Sequence, residues 1–263
     1  MSTETGTRAS QNWTDEFPRL YHAHHARHME DLPFWMELAA ACDSPILELG
    51  CGTGRVLLNL AHAGHQVVGL EIDVGMLAVL KENLADDLTS AVALLRADFT
   101  RFHLARRFNL LLLPCNTYST LRPAERLALL SCVAGHLEPD GVFVASLPNP
   151  ALLRQLPAYG RPQVEETFPH PVTAAPVQVT SSWKRTPQGV TIYWEYDYSL
   201  QDEPRHISRH VHHYRATVQD YLAELHSVGF HSVMLYGDYD HSAYHREAQN
   251  LIILAGLETI PPG

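Results

Sequence analysis

The sequence of 263 residues predicts an α/β protein with a doubly wound, mostly parallel seven-stranded sheet and an antiparallel β insert. Two observations lead to this prediction. As far as Pro148, short apolar runs alternate with stretches of helical period, which is the rhythm of βαβ units. Beyond Pro148 come long runs of alternating polarity without helices between them, which is typical of an antiparallel meander.

Helices are predicted ahead of the sheet. Residues 1–15 are polar and predict a disordered segment, whereas residues 16–41 have a helical pattern with prolines at Pro18 and Pro33. The amino terminus lacks the apolar core of a signal peptide, so we expect no secretion signal here.

The core elements then follow in order. The first five strands are predicted at "PILEL" (45–49), "QVVGLEI" (66–72), "AVALLRAD" (91–98), "FNLLLLPC" (108–115) and "GVFVASL" (141–147). Helices are predicted between them at 54–64, 75–88 and 123–137. Gly64 closes the first of these helices and Pro123 opens the third, as the preferences of helix ends require.

The insert and the last elements complete the chain. Residues 150–175 predict an irregular proline-rich segment, and strands follow at 177–185, 190–200 and 206–216. A helix at 217–230 has Thr217 as its N-cap and Gly229 at its end, and two strands at 231–239 and 249–257 complete the seven. The predicted segments are therefore 1–41 (N-terminal helices), 42–149 (α/β core), 150–215 (insert) and 216–263 (C-terminal completion of the sheet).

Composition narrows the function classes. A hydrophobic fraction of 46% supports a sizeable core, and a net charge of −10 disfavours nucleic acid or an anionic membrane as a partner. No apolar run reaches the roughly 20 residues that span a bilayer. Four cysteines without C-x-x-C spacing indicate reduced thiols and a cytoplasmic location.

The most informative segment is "ILELGCGTGR" (46–55), where three glycines follow the first strand. Glycine inside an element costs stability, so Gly50, Gly52 and Gly54 indicate a backbone that a ligand approaches closely. Ligands of open parallel sheets bind at the carboxyl ends of the strands, which is where this turn lies. Its amides and the start of the next helix favour a negatively charged group.

The next two strands end in residues that suit an adenosine. Glu71 lies 21 positions after Gly50 at the end of the second strand, where a carboxylate can accept both hydroxyls of a ribose. Asp98 and Phe99 end the third strand, where they can accept from the adenine amino group and cover the base. Asp98 has the alternative role of capping the segment that follows it.

The glycine spacing separates two classes of adenosine ligand. A dinucleotide fingerprint reads G-x-G-x-x-G/A, whereas this turn reads G-x-G-x-G and continues with Arg55. With "EL" before it, the turn resembles the first motif of class I S-adenosylmethionine-dependent methyltransferases. Similar segments cover nearly the whole chain: "VVGLEIDVGML", "RADF", "FNLLLLPCNTYSTL" and "LEPDGVFVAS". The resemblance implies a Rossmann-like methyltransferase fold.

A narrower resemblance comes from the ends of the chain. "LYHAHHARHMEDLPFWMELA", "YRATVQDYLAELHSVGF" and "YGDYD" are similar to bacterial small-molecule N-methyltransferases of the glycine and aminosugar type. In such enzymes the N-terminal helix caps the cofactor and the insert covers the acceptor pocket. Asn109 and Glu71 depart from the Asp that the family commonly has at each position, and both departures leave the ribose site its acceptor.

The resemblance implies a set of residues around S-adenosylmethionine. They are Tyr21, Glu48, Gly50, Cys51, Gly52, Thr53, Gly54, Arg55, Glu71, Ile72, Met76, Asp98, Phe99, Pro114 and Cys115. Cys51 is expected to contact the cofactor through its backbone, since nothing in the sequence supplies a base that would activate its thiol.

Five residues are predicted on the acceptor side. By the resemblance, Asn116 and Tyr118 follow the fourth strand beside the methyl group. His210, His212 and Tyr214 project to one side of their strand by alternation. They would contact the acceptor if that side faces the pocket, and are surface residues if it faces solvent.

The 17 histidines raise the question of a metal. His22, His25 and His28 recur every three residues on one predicted helix, and such spacing can ligate zinc. There is no H-E-x-x-H motif and no cysteine cluster, so the sequence predicts no metal site.

The predicted function is methyl transfer from S-adenosylmethionine to a small-molecule acceptor, with an amine favoured. Three alternatives stay open: an O-methyltransferase with a histidine base, a regulatory protein that binds the cofactor without turnover, and a nicotinamide-dependent oxidoreductase. A homodimer is one assembly that the sequence allows.

Overall fold

A computed structural model describes residues 16–42 and 45–258; the predicted disorder at 1–15 lies outside the described residues. The helices are α1 (Glu16–His25), α2 (Leu32–Ala40), α3 (Arg55–His62), α4 (Val74–Asn83), α5 (Pro123–His136), α6 (Pro150–Gln155) and α7 (Val218–Val228). The strands are β1 (Ile46–Leu49), β2 (Val67–Glu71), β3 (Val92–Arg96), β4 (Phe108–Leu113), β5 (Leu137–Pro148), β6 (Tyr159–Pro169), β7 (Pro176–Thr186), β8 (Gly189–Leu200), β9 (Glu203–Tyr214), β10 (Ser232–Tyr236) and β11 (Asn250–Gly256). Two 3₁₀ turns lie at Asp86–Leu88 and Thr117–Thr120.

The larger sheet confirms the predicted fold class. Its seven strands run in the order β10-β11-β5-β4-β1-β2-β3, and β3, β2, β1, β4 and β5 are parallel. β11 joins β5 antiparallel, and β10 closes that edge. All four residues of β1 are buried because the strand lies in the middle of the sheet. The carboxyl ends of β1 and β4 are therefore neighbours.

The smaller sheet is antiparallel, in the order β6-β7-β8-β9. β6 occupies part of the segment that the sequence predicts as irregular, so that prediction was wrong at 159–169. β6 is an edge strand, where Pro162 needs no ladder hydrogen bond, and two register shifts interrupt its pairing with β7. Prolines and bulges interrupt the alternation of polar and apolar residues from which a strand would have been predicted here.

α1 packs between the two sheets. Its Leu20 belongs to a buried cluster with side chains of the smaller sheet, among them Phe168, Val179 and Tyr196. On another face of the same helix, His22 Nδ1 lies 3.1 Å from Thr53 Oγ1 in the glycine turn. One helix thus contacts both the insert and the first turn of the core.

A mostly buried ion pair holds the N-terminal helices on the core. Arg55, the first residue of α3, donates from Nη1 and Nη2 to the two carboxylate oxygens of Asp31, at 2.5 and 2.7 Å. Asp31 also accepts from Trp35 Nε1 at 2.8 Å. The two charged side chains are 13% and 11% exposed, so water screens their attraction weakly.

A second junction joins the smaller sheet to the core. His213 of β9 is buried, and its Nδ1 lies 2.8 Å from Ser119 Oγ in the 3₁₀ turn after β4. The Ser119 hydroxyl donates its one proton to the Asn116 carbonyl oxygen, so His213 Nδ1 carries the proton of the shared hydrogen bond. Burial lowers the pKa of His213 to about 4, and His212 adds to the effect.

Replacing Asp31 with Ala should remove about 3 kcal/mol from the free energy of unfolding. Arg55 would then lie mostly buried without its counter-ion, which is the expensive way to break such a pair. Urea denaturation at pH 7 measures the loss. The control is Glu82→Ala, which breaks the exposed Arg19–Glu82 pair and should cost about 0.5 kcal/mol or less. Equal losses in the two variants would contradict the buried role of Asp31.

Stability should also depend on the protonation of His213. The unfolded histidine takes up a proton near pH 6.5, whereas the folded one resists until about pH 4, so acid favours the unfolded chain in that window. Between pH 7 and pH 5 the wild type should lose about 2 kcal/mol more than His213→Asn. Urea midpoints at both pH values measure this difference. Burial acts oppositely on Glu48, raising its pKa to about 8, but that effect is common to both proteins and cancels. An identical pH slope in both proteins would show that His213 does not carry the effect.

Candidate active site

The glycine turn forms one wall of the candidate site. Gly50, Gly52 and Gly54 all have positive φ angles, of 65°, 53° and 88°, which side chains rarely allow. A Cβ at Gly52 would meet nothing within 4 Å, so open space borders the backbone there. A Cβ at Gly54 would lie 2.9 Å from Leu80 Cγ, which shows how closely α3 and α4 approach. The turn thus presents bare backbone to an open region.

Glu71 lies beside this turn, as its spacing in the sequence suggested. Its Oε2 accepts from the Gly52 amide at 3.0 Å, and its Oε1 accepts from the amides of Ile72 and Asp73 at 2.7 and 2.8 Å. Three backbone donors fix the carboxylate and use three of its roughly four lone-pair sites, so the free site is on Oε2. A ligand hydroxyl could bind there.

The end of β3 contributes an aromatic ring and a second carboxylate. Phe99 packs on the glycine turn, with its Cε1 3.3 Å from where a Cβ on Gly50 would lie. Asp98 accepts from the Thr100 amide and hydroxyl and from Arg101 Nε. These hydrogen bonds, the Thr100 hydroxyl foremost, lower the pKa of Asp98. Asp98 therefore caps the following segment, the alternative that the sequence left open.

Two further predicted residues lie near Glu71 at the start of α4. Ile72 is an exposed apolar side chain, 54% accessible, on the segment that follows Glu71. Met76 is half-buried, and its amide donates to Asp73 Oδ1 at the helix N-cap. Both could contact the flat face of a base that lies between Glu71 and Phe99.

Buried acceptors without partners mark the ends of β1 and β4. Glu48 is 3% exposed, and its Oε2 has no hydrogen-bond partner among the described residues. Burial raises the pKa of Glu48 to about 8, although Arg55 opposes the shift. Asn116 Oδ1 is also buried without a partner in the described part of the chain. Since β1 and β4 are adjacent, polar groups of a ligand could satisfy both.

The turn after β4 is strained. Cys115 and Asn116 have φ angles of 62° and 63°, a conformation that costs non-glycine residues of order 1–3 kcal/mol each. The turn is held from two sides: Cys115 Sγ accepts from Arg55 Nη2 at 3.2 Å, and the Pro114 carbonyl accepts from Thr117 Oγ1. Strain of this kind concentrates at functional sites.

Two buried tyrosines lie near Cys115 and Arg55. Burial raises the pKa of both Tyr21 and Tyr239 above the usual range, and Cys115 and Arg55 contribute to both shifts. Tyr21 comes from α1, where its ring lies 4.2 Å from that of His25. Tyr239 belongs to the "YGDYD" segment, which the sequence linked only to a family. Both hydroxyls are neutral at physiological pH.

The thiol of Cys51 is inert, as the sequence suggested on other grounds. The residue is 4% exposed, and burial raises the pKa of its thiol far above the usual range. Its amide donates to the Leu70 carbonyl, which ties the glycine turn to β2.

Tyr118 does not lie in the open region, which corrects its assignment to the acceptor side. The side chain is fully buried, and its ring packs on Phe143 and Tyr221 in the core of the larger sheet. A 3₁₀ turn starts at Thr117 and directs the tyrosine inward. Its role is packing.

His210 and His212 also lie away from this region. Alternation along β9 places them opposite Tyr193 and Thr191, on the face that does not pack on α1. His210 is exposed, and His212 Nδ1 lies 2.9 Å from Thr191 Oγ1. The inner face carries His213, which the sequence analysis passed over. Of the two orientations that the sequence left open, the structure has the one in which His210 and His212 face away from α1.

Tyr214 borders a different opening. A cavity of about 310 Å³ lies between α6, α7 and the junction of β8 and β9. Its lining includes Arg154, Arg185, Arg215, His213 and Tyr214, and no residue of the glycine turn. The Tyr214 hydroxyl accepts from Arg122 Nε at 3.1 Å. Tyr214 therefore lies outside the region bounded by the turn, Glu71 and Asn116.

Three residues of the candidate site were not predicted there. Asp31, Tyr239 and His22 come from segments far from the glycine turn, and only the fold brings them together. Arg55 offered a signal for Asp31, because an arginine at a buried helix start requires an acidic partner. His22 was considered only as a metal ligand, and Tyr239 only as part of the "YGDYD" segment.

Comparison with known proteins agrees with this geometry. Residues 46–141 match the family described as "Methyltransferase domain". The chain is 32% identical over 107 residues to the cypemycin N-terminal methyltransferase of a Streptomyces species, a match that covers 40% of this chain and 42% of that protein. It is 35% identical over 100 residues to dTDP-3-amino-3,6-dideoxy-alpha-D-glucopyranose N,N-dimethyltransferase of Streptomyces fradiae, covering 38% of this chain and 37% of that protein. The chain thus spans less than half the length of the curated relatives it matches.

The structural similarity to known proteins extends beyond residues 46–141. A crystal structure of a S-adenosylmethionine-dependent methyltransferase from Clostridium acetobutylicum superimposes with a TM-score of 0.75 at 13% identity, over 92% of this chain and 98% of that one. At such low identity the match speaks for the fold alone. Within the described residues, no helix is long and apolar enough to cross a membrane. Residues 46–141 thus match a methyltransferase-domain family, and the chain shares the fold of a S-adenosylmethionine-dependent methyltransferase.

Proposed function

We propose that the protein transfers a methyl group from S-adenosylmethionine to an amine of a small molecule. One observation carries the proposal. The open backbone of the glycine turn at Gly52 lies directly beside Glu71, and two buried acceptors without partners among the described residues, on Glu48 and Asn116, lie at the adjacent strand ends. This combination suits a nucleoside with a polar tail.

The residues present fit this cofactor. Glu71 would accept from a ribose hydroxyl through Oε2, and Ile72 and Phe99 would cover the base. A Glu48 carboxyl with its pKa near 8 is protonated at pH 7, so its hydroxyl can donate to the cofactor's carboxylate or its carbonyl can accept from the ammonium group. S-adenosylmethionine supplies a methyl group already activated on a sulfonium, so the protein's contribution is mainly alignment.

The neutral hydroxyls favour an amine as the acceptor. Tyr21 and Tyr239 stay protonated at physiological pH, and each can accept a hydrogen bond from an amine N–H and so orient its lone pair. A hydroxyl acceptor needs a base to remove its proton. Burial lowers the pKa of His25, beside Tyr21, to about 3, which makes it a poor base. His210 and His212, the bases in the O-methyltransferase alternative, lie on the far face of β9.

The relatives point to the same class of acceptor. One is described as acting on the N-terminus of cypemycin and another on an amino group of a dTDP-linked sugar. We extend to this chain only the shared chemistry, an amine on a small molecule. A homodimer and a cytoplasmic location stay predictions.

S-adenosylhomocysteine should bind the protein through Glu71. We expect saturable binding by calorimetry, and at 100 times the dissociation constant the ligand should stabilise the fold by about 2.7 kcal/mol. Glu71→Ala should weaken binding at least tenfold, because charge-assisted hydrogen bonds are worth about 1.5–3 kcal/mol. Asp87→Ala, an exposed carboxylate in the turn after α4, is the control and should bind like the wild type.

The same titration separates the cofactor classes. NADH should give no binding heat and no rise in melting temperature. Binding of NADH in preference to S-adenosylhomocysteine would overturn the proposal in favour of an oxidoreductase. Unchanged affinity in Glu71→Ala would remove that residue from the site.

Methyl transfer should require an amine on the acceptor. We expect S-adenosylhomocysteine to accumulate with amino acceptors such as a dTDP-linked 3-amino sugar or a short peptide with a free N-terminus. The matched compounds without a free amine, the 3-hydroxy sugar and the N-acetylated peptide, should give none. Mass spectrometry of acceptor and cofactor measures both products. Methylation of the 3-hydroxy sugar instead would support the O-methyltransferase alternative, and intact cofactor binding without any transfer would favour a regulatory protein.

A further inference from the structure

Three potential metal ligands converge between α1 and the edge strand β6. His24 and His28 lie four residues apart, on one face of the N-terminal segment, and Glu166 faces them from the smaller sheet. Glu166 Oε2 lies 3.8 Å from His24 Nε2 and 3.3 Å from His28 Nε2. One ligand atom from each residue lies within 4.8 Å of the other two.

Two of the three ligands, His24 and Glu166, are already oriented by neighbours. The other ring nitrogen of His24, Nδ1, lies 3.1 Å from the Tyr196 hydroxyl, which leaves Nε2 directed at Glu166. Glu166 Oε1 lies 3.1 Å from Arg27 Nη1, and Glu166 Oε2 is buried without a hydrogen-bond partner among the described residues. Such outer partners, which fix a histidine ring and hold one carboxylate oxygen, accompany metal ligands in proteins.

We propose that His24 Nε2, His28 Nε2 and Glu166 Oε2 form a zinc site with an open fourth position. Two imidazoles and one carboxylate are a common ligand set for zinc. Tetrahedral bonds of about 2.0–2.2 Å would separate the ligand atoms by roughly 3.3–3.6 Å. The separations of 3.3 and 3.8 Å from Glu166 Oε2 to the two histidine nitrogens are close to that geometry.

An ion-pair network without metal is the competing explanation. Arg27 and a protonated His28 could neutralise Glu166 by themselves. That arrangement leaves His24 unexplained, because its side chain is 4% exposed and its Nε2 faces Oε2 at 3.8 Å, too far for a hydrogen bond. A cation between the two atoms would satisfy both. The site rests on these contacts and is independent of the proposed methyl transfer.

Zinc binding by the full chain tests the site. Protein from which any affinity tag has been removed is stripped with a chelator, dialysed and titrated with zinc sulfate by calorimetry, with elemental analysis of the complex. We expect one zinc per chain. His28→Ala and Glu166→Gln should each weaken zinc binding at least tenfold. The control is His226→Ala, an exposed histidine in the last turn of α7, which should bind zinc like the wild type.

Two readouts keep the outcome unambiguous. Cobalt substituted for zinc should give the intense visible absorption of a four-coordinate ion in the wild type, and Glu166→Gln should lose it. S-adenosylhomocysteine binding by the same samples reports an intact fold, so that failure of the zinc site and failure of the proposed function can be told apart. No stoichiometric zinc in folded wild-type protein, or equal affinity in the wild type and Glu166→Gln, would overturn the proposal.

Discussion

The hydrogen-bonded ion pair between Arg55 and Asp31 is the constraint on which the rest of the site depends. The three glycines of the turn have no side chains to hold it and lose much conformational freedom on folding. Arg55 supplies the missing support, since it begins α3 immediately after the turn and also reaches the His28 carbonyl and Cys115 Sγ. The N-terminal helices, the glycine turn and the end of β4 are thereby joined at one guanidinium. The same arginine occupies the position that excludes a dinucleotide fingerprint.

The carboxyl ends of β1 and β4 carry buried polar atoms that have no hydrogen-bond partner among the described residues. A buried acceptor without a partner costs about 1–3 kcal/mol, and Glu48 and Asn116 each leave one at neighbouring positions. The left-handed conformations of Cys115 and Asn116 add to that cost. The extensive cores on both faces of the seven-stranded sheet offset these losses. A ligand that filled the region would recover part of them, so stability and binding are linked here.

Local patterns predicted the parts of the fold that local interactions determine. The alternation of strands and helices, the glycine turn and the position of Glu71 follow from periodicity and spacing. β6 was not predicted because prolines and bulges interrupt its alternation of polar and apolar residues. Alternation predicts that β9 has two faces but not which of them is buried. Packing against α1 and Ser119 buries the face that carries His213 and leaves His210 exposed. Asp31 beside Arg55, and Glu166 beside His28, are non-local contacts that no spacing encodes.

The structure shows which partners the histidines of the "HAHHARH" segment contact, a point that the sequence left open. Along the chain these histidines form one cluster, whereas in the folded segment, which is α1 with His28 just beyond its end, they face different partners. His22 reaches Thr53 in the glycine turn, His25 lies against Tyr21, and His24 and His28 face Glu166. Since the helix lies between the core and the insert, a displacement that affects one set of contacts also displaces the others. The glycine turn and the smaller sheet are therefore mechanically coupled through this one helix.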